Sequence, residues 1–272
     1  MKRFKIGIIA LALILSLLGC ATVPHTGRKQ LNMVSDHQLN ALALKAFNEV
    51  VSKEQECKDQ RIKEIVQRVS DRVSKAAEAM DKPGFKWDVR VIDKDVPNAF
   101  CLPGGKIVVF TGIIPYVKNE AGLAAVIGHE VAHAVARHGG ERMSQQLALK
   151  GAVTVGGEVL KKEDGNLDSK ARMILGAMGM GGMIGVILPY SRIHEVEADR
   201  IGQLYMAAAG YDPSESARLW ERMAKINKPP VPVWLSTHPP EDERIRKLNE
   251  SLPEARKVYD KSQARYGLGG PL

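Results

Sequence analysis

Cysteines, long apolar runs and mixed basic–aromatic runs are scarce or missing in this 272-residue sequence. Of the 3 cysteines, only Cys57 and Cys101 lie beyond residue 20, so they form at most one disulfide or remain two buried free thiols. No basic run is interleaved with aromatic residues, so nucleic acid is not an expected partner. With 44% hydrophobic and 26% charged residues and no internal repeat, the composition is that of a single globular unit.

The first twenty residues have the layout of a targeting segment. A basic stretch, Met1 to Lys5, precedes an apolar stretch, Ile6 to Leu18, which is shorter than the about 20 residues of a membrane span. The segment ends in Leu17-Leu18-Gly19-Cys20, which resembles a bacterial lipobox. We expect residues 1–20 to be a lipoprotein signal peptide, with Cys20 lipidated and holding the chain to a membrane. The alternatives are an ordinary secretory signal and an uncleaved anchor.

The leader predicts where the protein resides and where its folded part begins. We expect a location in the bacterial cell envelope, lipid-anchored and facing the periplasm, at the outer membrane. Residues 21–34 are polar and are expected to be a tether. Residues 35–262 are expected to form one domain, and residues 263–272 a disordered tail. The sequence leaves the oligomeric state open.

The apolar pattern predicts an α+β fold that is mainly helical. Apolar residues recur at helical spacing over 36–50 and 59–80. Short extended segments are expected at 86–92, 98–102 and 106–111. These segments predict a small antiparallel β-sheet placed directly before the next helix.

The helix that begins at Asn119 contains His129-Glu130-x-x-His133. Residues four apart lie on one helix face, so His129 and His133 can direct two imidazole nitrogens at one metal ion. Glu130 lies beside them, where it can take a proton from metal-bound water. The helix is expected to end near His138, before two glycines. We expect His138 to be a solvated histidine or one that stabilises the helix dipole at the helix end, not a ligand.

A catalytic zinc site takes three protein ligands and leaves one position open, so a third ligand is needed. Glu195 is the best candidate. Asp199, four residues on, shares its helix face and is expected to hydrogen-bond a ligand histidine. Glu197 points elsewhere, and an exchange of roles between Glu195 and Glu197 is the main alternative. His194 is not expected to be a ligand, because it projects about 100° away from Glu195.

These residues together resemble peptidase family M48, the gluzincin zinc metallopeptidases. The motifs that match are His129-Glu130-x-x-His133, Glu195-x-x-Ala198-Asp199, Asn98-Ala99-Phe100 with Leu102-Pro103-Gly104-Gly105, and Ser236-Thr237-His238-Pro239. The likeness spans about Asp93 to Leu248. It is strongest to the periplasmic BepA-like and the Oma1-like branches, without a tetratricopeptide domain.

The resemblance implies a zinc metalloendopeptidase with one zinc ion per chain. The ion would be held by His129, His133 and Glu195, and Glu130 would be the general base for hydrolysis of peptide bonds. The resemblance also implies that His238 is either a fourth ligand in a resting state or a group that stabilises the oxyanion.

The resemblance further indicates the kind of substrate. An extended polypeptide is expected to bind by backbone hydrogen bonds to the strand edge at Asn98, Ala99 and Phe100. Unfolded or misassembled envelope proteins are the expected substrates.

Arg244 is expected to form a charge-assisted pair with an acidic group and is given no part in catalysis.

Two alternatives to this interpretation stay open. The chain could be a latent, chaperone-like assembly factor with a closed zinc site. It could also be a membrane-embedded protease, since Met173 to Leu188 has no charged residue. We favour a soluble, partly flexible segment there, which could cover the active site.

Overall fold

The computed structural model describes residues 20–153, 191–225, 233–239 and 242–272. The strands, in chain order, are β1 (Cys20–Thr22), β2 (Lys29–Leu31), β3 (Asp88–Ile92), β4 (Ala99–Leu102) and β5 (Lys106–Phe110). The helices are α1 (Asp36–Lys53), α2 (Gln60–Asp81), α3 (Ile114–Val117), α4 (Glu120–Val135), α5 (His138–Val153), α6 (Arg192–Ala208), α7 (Ser214–Ala224), α8 (Val233–Thr237) and α9 (Asp242–Asp260), with a 3-10 turn at Thr111–Ile113. The predicted α+β class is confirmed. The segment Met173 to Leu188 lies outside the described residues.

A three-stranded sheet has the strand order β3–β5–β4. β4 pairs with β5 in the antiparallel sense, whereas β3 pairs with β5 in parallel. The sequence suggested an antiparallel sheet, but the sheet is mixed. The tight turn at Gly104 and Gly105, whose φ values of 80° and 82° suit glycine, makes β4 and β5 antiparallel neighbours. The parallel pair arises because β5, and not β4, lies beside β3.

Both faces of this sheet are covered. Along β5, Ile107 and Val109 join the main core with α2 and α4, whereas Val108 and Phe110 join a second core with α1. Successive residues of a strand point to opposite faces, so a strand with both faces buried needs an unbroken apolar run. The sequence of β5 supplies that run.

α4 is the central helix, and every one of its residues is buried. The Asn119 side chain caps its first turn by accepting a hydrogen bond of 2.8 Å from the Gly122 N–H. α4 packs along α6. The two backbones approach so closely that a Cβ on Gly202 would lie 2.7 Å from the carbonyl carbon of Gly128. This close approach brings together the two helices that contain the predicted metal motifs.

α4 ends earlier than the sequence suggests. Its last residue is Val135, and Arg137 adopts a left-handed conformation with φ of 59°. α5 then begins at His138 and contains both of the glycines that were expected to stop the preceding helix. Gly140 serves packing instead, because a Cβ there would lie 2.8 Å from the Asn32 side chain.

The segment expected to be a tether is docked onto the domain. β1 and β2 form an antiparallel hairpin, and Val23 and Gln30 in this segment are 1% and 3% exposed. The Gln30 side chain donates a hydrogen bond of 2.9 Å to the Ala136 carbonyl. Residues 21–34 are therefore part of the fold, which a polar composition could not reveal because it does not show the partners.

The tail expected to be disordered also lies against the domain. The N–H groups of Glu120 and Ala121 donate to the carbonyls of Gly270 and Leu268, each at 3.0 Å. These donors belong to the first turn of α4, which has no intrahelical acceptors for them. Residues 268–270 thus supply acceptors that the central helix needs.

Cys57 and Cys101 are both buried free thiols, so the second of the two alternatives for these cysteines holds. Among the described residues, none of the helices has the length and apolar content to span a membrane.

Candidate metal centre

Four side chains converge at one buried point. His129 and His133 come from α4, Glu195 from α6, and His238 from the residue that follows α8. One ligand atom from each lies within 4.8 Å of the other three. All four residues are at most 3% exposed. The fold thus brings the three predicted ligands together and adds His238 to them.

The spacing of these atoms fits a tetrahedral metal site. His129 Nε2 lies 3.0 Å from His133 Nε2 and 3.1 Å from His238 Nδ1. Glu195 oxygens lie 3.0 Å from His238 Nδ1 and 3.4 Å from His133 Nε2. The corners of a tetrahedron around zinc, with bonds of about 2.0–2.1 Å, are about 3.3 Å apart. The imidazole and carboxylate donors and their spacing therefore both suit zinc.

The charges around this group favour a cation. Burial would keep the Glu195 carboxyl neutral, but His238 and Arg244 outweigh burial and hold its pKa well below the usual value. Burial also opposes protonation of His129, yet hydrogen bonds with Asp199 and Glu195 raise its pKa to about 9. Burial, by contrast, holds the pKa of His133 well below its usual value. The ionised Glu195 carboxylate and the neutral His133 ring are therefore both in the form that binds zinc.

Asp199 can hold His129 in the tautomer that a metal ligand needs. His129 Nδ1 lies 2.9 Å from Asp199 Oδ1. A proton on Nδ1 leaves the lone pair of Nε2 directed at the other three ligands. Arg244 in turn fixes Asp199 with two hydrogen bonds of 2.7 Å, from Nε and Nη2. Asp199 therefore lies outside the ligand group and against one of its histidines, as its spacing from Glu195 predicts.

Arg244 balances the charge of two carboxylates. Besides its bonds to Asp199, its Nη1 lies 2.8 Å from Glu195 Oε2. The guanidinium also stacks over Trp220, 3.6 Å from the ring centroid. Trp220 Nε1 donates a hydrogen bond of 3.1 Å to Asp199 Oδ1. The acidic groups that Arg244 was expected to brace are therefore Asp199 and Glu195.

Glu130 lies beside the ligand group and is 4% exposed. Trp234 Nε1 donates a hydrogen bond of 2.8 Å to Glu130 Oε1, and His238 Nε2 lies 3.5 Å from the same oxygen. Trp234 was not among the site residues expected from the sequence. No local motif could have indicated it, because 104 positions separate it from the carboxylate that it contacts.

α8 fixes the position of His238. The Trp234 N–H donates to the Pro97 carbonyl at 3.1 Å, which ties α8 to the residues before β4. The Trp234 ring stacks on Trp220 with centroids 4.7 Å apart. The His238 N–H donates to the Trp234 carbonyl at 2.8 Å. These contacts hold the His238 ring in the ligand group.

His133 has a partner on the other side of its ring. His138 Nδ1 lies 2.9 Å from His133 Nδ1, and His138 is fully buried. The expectation of a solvated histidine is therefore wrong. α4 stops at Val135 and the chain reverses at Arg137, which turns His138 back toward His133. His138 does lie outside the ligand group.

Glu197 and His194 face this outer region. Glu197 Oε2 lies 3.3 Å from His138 Nε2, and His194 Nε2 lies 2.9 Å from Glu141 Oε2. The rings of His138 and His194 stack with centroids 4.5 Å apart. An exchange of Glu197 for Glu195 as a ligand does not fit this geometry.

Asn98, Ala99 and Phe100, expected at a substrate-binding strand edge, lie at one side of the sheet. β4 has no further strand beside it within the described part of the chain. The three residues are each 2% exposed. β4 also packs against α4, so this edge strand lies beside the metal helix.

Comparison with curated proteins finds relatives that are proteases by name. The mitochondrial metalloendopeptidase OMA1 of Schizosaccharomyces pombe is 37% identical over 241 residues, which are 86% of this chain and 66% of that protein. OMA1 of Arabidopsis thaliana is 36% identical over 198 residues, 70% of this chain and 37% of that protein. The beta-barrel assembly-enhancing protease of Yersinia pestis is 30% identical over 168 residues, 57% and 32% of the two chains. The chain thus spans between about a third and two thirds of the length of these relatives.

These relatives contradict the predicted location. The relatives at 36–37% identity are mitochondrial enzymes of a yeast and a plant, and a mitochondrial enzyme of Homo sapiens matches at 30% over 255 residues, whereas the bacterial relative from Yersinia pestis matches at 30% over 168 residues. The prediction of a location at the outer membrane of a bacterial cell envelope is therefore wrong. That prediction depended on the short pattern at Leu17 to Cys20, which contains far less information than alignments of 198 to 255 residues.

The sequence profile of peptidase family M48 matches residues 56–252. This range includes Glu130 and all four residues of the ligand group. The expected enzyme class, a zinc metalloendopeptidase, is confirmed at the level of the family, and zinc suits the donors that converge in the structure. The chain belongs to peptidase family M48.

Proposed function

We propose that the chain is a zinc-dependent endopeptidase that hydrolyses peptide bonds in unfolded or misassembled proteins. The observation on which this depends is the convergence of His129, His133 and Glu195 beside the Glu130 carboxylate. Three zinc ligands and an adjacent carboxylate are what metal-assisted hydrolysis requires. The edge of β4 supports this choice of substrate, because backbone hydrogen bonds hold an extended chain with little preference for sequence.

The residues around the ligands have distinct parts in the proposed mechanism. His129, His133 and Glu195 would hold the zinc ion, which would supply the acidity of a bound water molecule and the polarisation of the scissile carbonyl. Glu130 takes the proton of the attacking water and passes it to the leaving amine. Trp234 Nε1 fixes Glu130 Oε1 beside the site. Asp199 keeps the proton of His129 on Nδ1, so that the ring binds through Nε2.

A cavity beside His133 can accept a side chain of the substrate. Its volume is about 130 Å³, and its lining includes Phe85, Pro103, Val135 and Arg137. Pro103 directly follows β4. A chain bound along that strand would therefore reach the cavity.

Cleavage of unfolded casein tests the proposal. Wild-type protein loaded with one zinc per chain is expected to cleave it. Glu130→Gln is expected to bind the same amount of zinc and to cleave about 10²–10⁴-fold more slowly, because the proton acceptor is gone. Glu221→Gln, an exposed glutamate on α7, is the matched control and should cleave at the wild-type rate. Equal rates for wild type and Glu130→Gln would overturn the proposal.

A second candidate function is a latent assembly factor with a chaperone-like role. It is favoured by one observation, the presence of His238 Nδ1 in the ligand group. A catalytic zinc site needs an open position for water, so a fourth histidine ligand closes it. If His238 is a resting ligand, activity requires α8 to move. The alternative is that His238 stabilises the oxyanion.

His238→Ala distinguishes these roles. A resting ligand predicts weaker zinc binding and faster casein cleavage in the variant. An oxyanion group predicts slower cleavage with zinc binding unchanged. If His238→Ala changes neither quantity, His238 has neither role.

We also propose that Cys20 is lipidated and attaches the chain to a membrane, on the strength of the sequence at Leu17 to Cys20. The intact mass of the mature chain tests this. It is expected to begin at Cys20 and to exceed the mass of the unmodified polypeptide, and Cys20→Ser should remove the excess. A chain that retains residues 1–19, or that has the unmodified mass, would refute the attachment.

A further inference from the structure

Arg28, in the N-terminal hairpin, binds two buried carboxylates at once. Its Nη1 and Nη2 donate to the two oxygens of Glu141 at 2.8 and 2.7 Å. Its Nε donates to Glu197 Oε2 at 2.8 Å. The Thr26 hydroxyl, from the same hairpin, donates to Glu197 Oε1 at 2.7 Å. Both oxygens of Glu197 are therefore held by the segment that precedes the first long helix.

This cluster leads directly to a residue of the ligand group. Glu197 Oε2 lies 3.3 Å from His138 Nε2, and His138 Nδ1 lies 2.9 Å from His133 Nδ1. A metal bound at His133 Nε2 requires the proton of that ring to be on Nδ1, where it is donated to His138 Nδ1. The proton of His138 is then on Nε2 and faces Glu197. The His133 donor thus faces a ring nitrogen of His138, and the His138 donor faces a carboxylate oxygen of Glu197.

We propose that Arg28 is a positioning residue for the metal centre. It fixes Glu197, and through Glu197 and His138 it sets the orientation and tautomer of His133. Asp199 performs the corresponding task for His129, so the two histidines of α4 would be oriented from opposite sides. This inference depends on the proposed role of His133 as a zinc ligand.

A second contact places the same hairpin at the end of the metal helix. The Gln30 side chain donates to the carbonyl of Ala136, the residue that follows α4, at 2.9 Å. Gln30 is two residues beyond Arg28 in the chain. The hairpin thus contacts both the helix that contains His133 and the group that orients the His133 ring.

A lysine cannot replace Arg28 in this geometry. The guanidinium is planar and offers one pair of donors to Glu141 and a separate donor to Glu197, whereas an ammonium is a compact point charge. Arg28→Lys therefore keeps the positive charge near both carboxylates but is expected to release one of them. This makes it a milder variant than Arg28→Ala, which would leave two buried carboxylates without their cation.

The test measures the affinity for zinc, by competition with a chromophoric chelator, in the purified full-length chain. Arg28→Lys and Glu197→Gln are each expected to bind zinc about 10–100-fold more weakly, the usual effect of losing a group that orients a ligand. Glu141→Gln removes the charge that faces His194, which lies outside the ligand group. It is expected to weaken zinc binding less. Lys29→Ala, an exposed neighbour in the same hairpin, is the matched control and should bind zinc as wild type does.

Visible absorption of the cobalt-substituted protein supplies a second readout. Loss of Arg28 would not change it if Arg28 only stabilised the fold. Arg28→Lys and Glu197→Gln should shift the cobalt bands, whereas Glu141→Gln and Lys29→Ala should not. Urea unfolding of the metal-free variants measures their stability in parallel. If Arg28→Lys does not fold, the zinc affinity and the cobalt spectrum of Glu197→Gln decide whether the inference holds.

Two results would overturn the inference. In one, Arg28→Lys or Glu197→Gln binds zinc within two-fold of wild type and has the wild-type cobalt spectrum. In the other, Glu141→Gln loses as much affinity as Glu197→Gln, in proportion to lost stability. Failure of the proposed function would look different, because the wild type would then bind no zinc or His133→Ala would retain the wild-type affinity.

Discussion

Replacing Arg244 by alanine is expected to destabilise the zinc-free protein by about 3–5 kcal/mol, the cost of removing one partner of a buried ion pair. Arg244 is 1% exposed. It donates two hydrogen bonds of 2.7 Å to Asp199 and lies 2.8 Å from a Glu195 oxygen. The variant would leave two buried carboxylates without their cation. The stacking on Trp220 is lost as well, which adds about 1 kcal/mol.

The assay is equilibrium unfolding in urea, monitored by circular dichroism, with the free energy of unfolding extrapolated to water. Arg246→Ala is the matched control, because Arg246 lies on the same helix but its side chain is 57% exposed. An exposed ion pair contributes little, so this control is expected to stay within about 0.5 kcal/mol of wild type. A loss below about 1 kcal/mol for Arg244→Ala would refute the view that Arg244 neutralises buried charge.

Three further predictions follow from the helices and from the metal. Burial raises the pKa of Glu120, but hydrogen bonds from Arg68 and Tyr211 outweigh it and hold that pKa below its usual value. The resulting stability is complete above the unfolded-state pKa of about 4.3 and is lost as the pH falls through the lower folded-state value. Glu120→Gln should therefore cost about 1–2 kcal/mol at pH 7 and progressively less toward pH 3 in urea titrations, and a constant difference would contradict this assignment. Gly202→Ala should cost about 1–3 kcal/mol and weaken zinc binding, because the new Cβ would meet the Gly128 backbone and push α6 from α4; an unchanged melting temperature would show that the helices can part freely. Removing zinc with a chelator should abolish casein cleavage and lower the stability by about 2.7 kcal/mol relative to protein in zinc at 100 times its Kd, and full activity without zinc would contradict the mechanism.

Local chemistry explains which features the sequence could predict. The four-residue spacing of His129 and His133 places them on one helix face, whatever surrounds the helix. Asn119 caps α4 with its own side chain, so the start of that helix is a local event. The spacing of Glu195 and Asp199 follows the same rule. Residues whose placement depends on helical periodicity were therefore predictable from the sequence.

His138 shows where that reasoning failed. Its predicted position assumed that α4 continued for three residues beyond its actual end. Instead, Arg137 adopts a left-handed conformation, and the chain turns into α5. A glycine pair marks a helix end in many proteins, but here Gly140 is required by close packing against Asn32. A single backbone reversal moved His138 from the solvent to the side of His133.

Contacts between distant segments explain the remaining differences. Arg28 lies 113 residues from Glu141 and 169 residues from Glu197. Its side chain reaches these carboxylates only when the hairpin docks beside α5 and α6. Trp234 similarly depends on the position of α8. No periodicity connects such residues, so the sequence indicates neither the partners nor the docking.

The zinc K-edge absorption spectrum of the zinc-loaded wild type, compared with that of His238→Ala, tests the central claim most directly. The positions of His129, His133, Glu195 and His238 predict that zinc has only nitrogen and oxygen donors at about 2.0–2.1 Å, with at least two imidazoles among them. His238→Ala should retain zinc, and it should lose one imidazole from the spectrum if His238 is a resting ligand and none if His238 stabilises the oxyanion. A sulfur ligand at about 2.3 Å, or fewer than two imidazoles in the wild type, would contradict the site described by the structure.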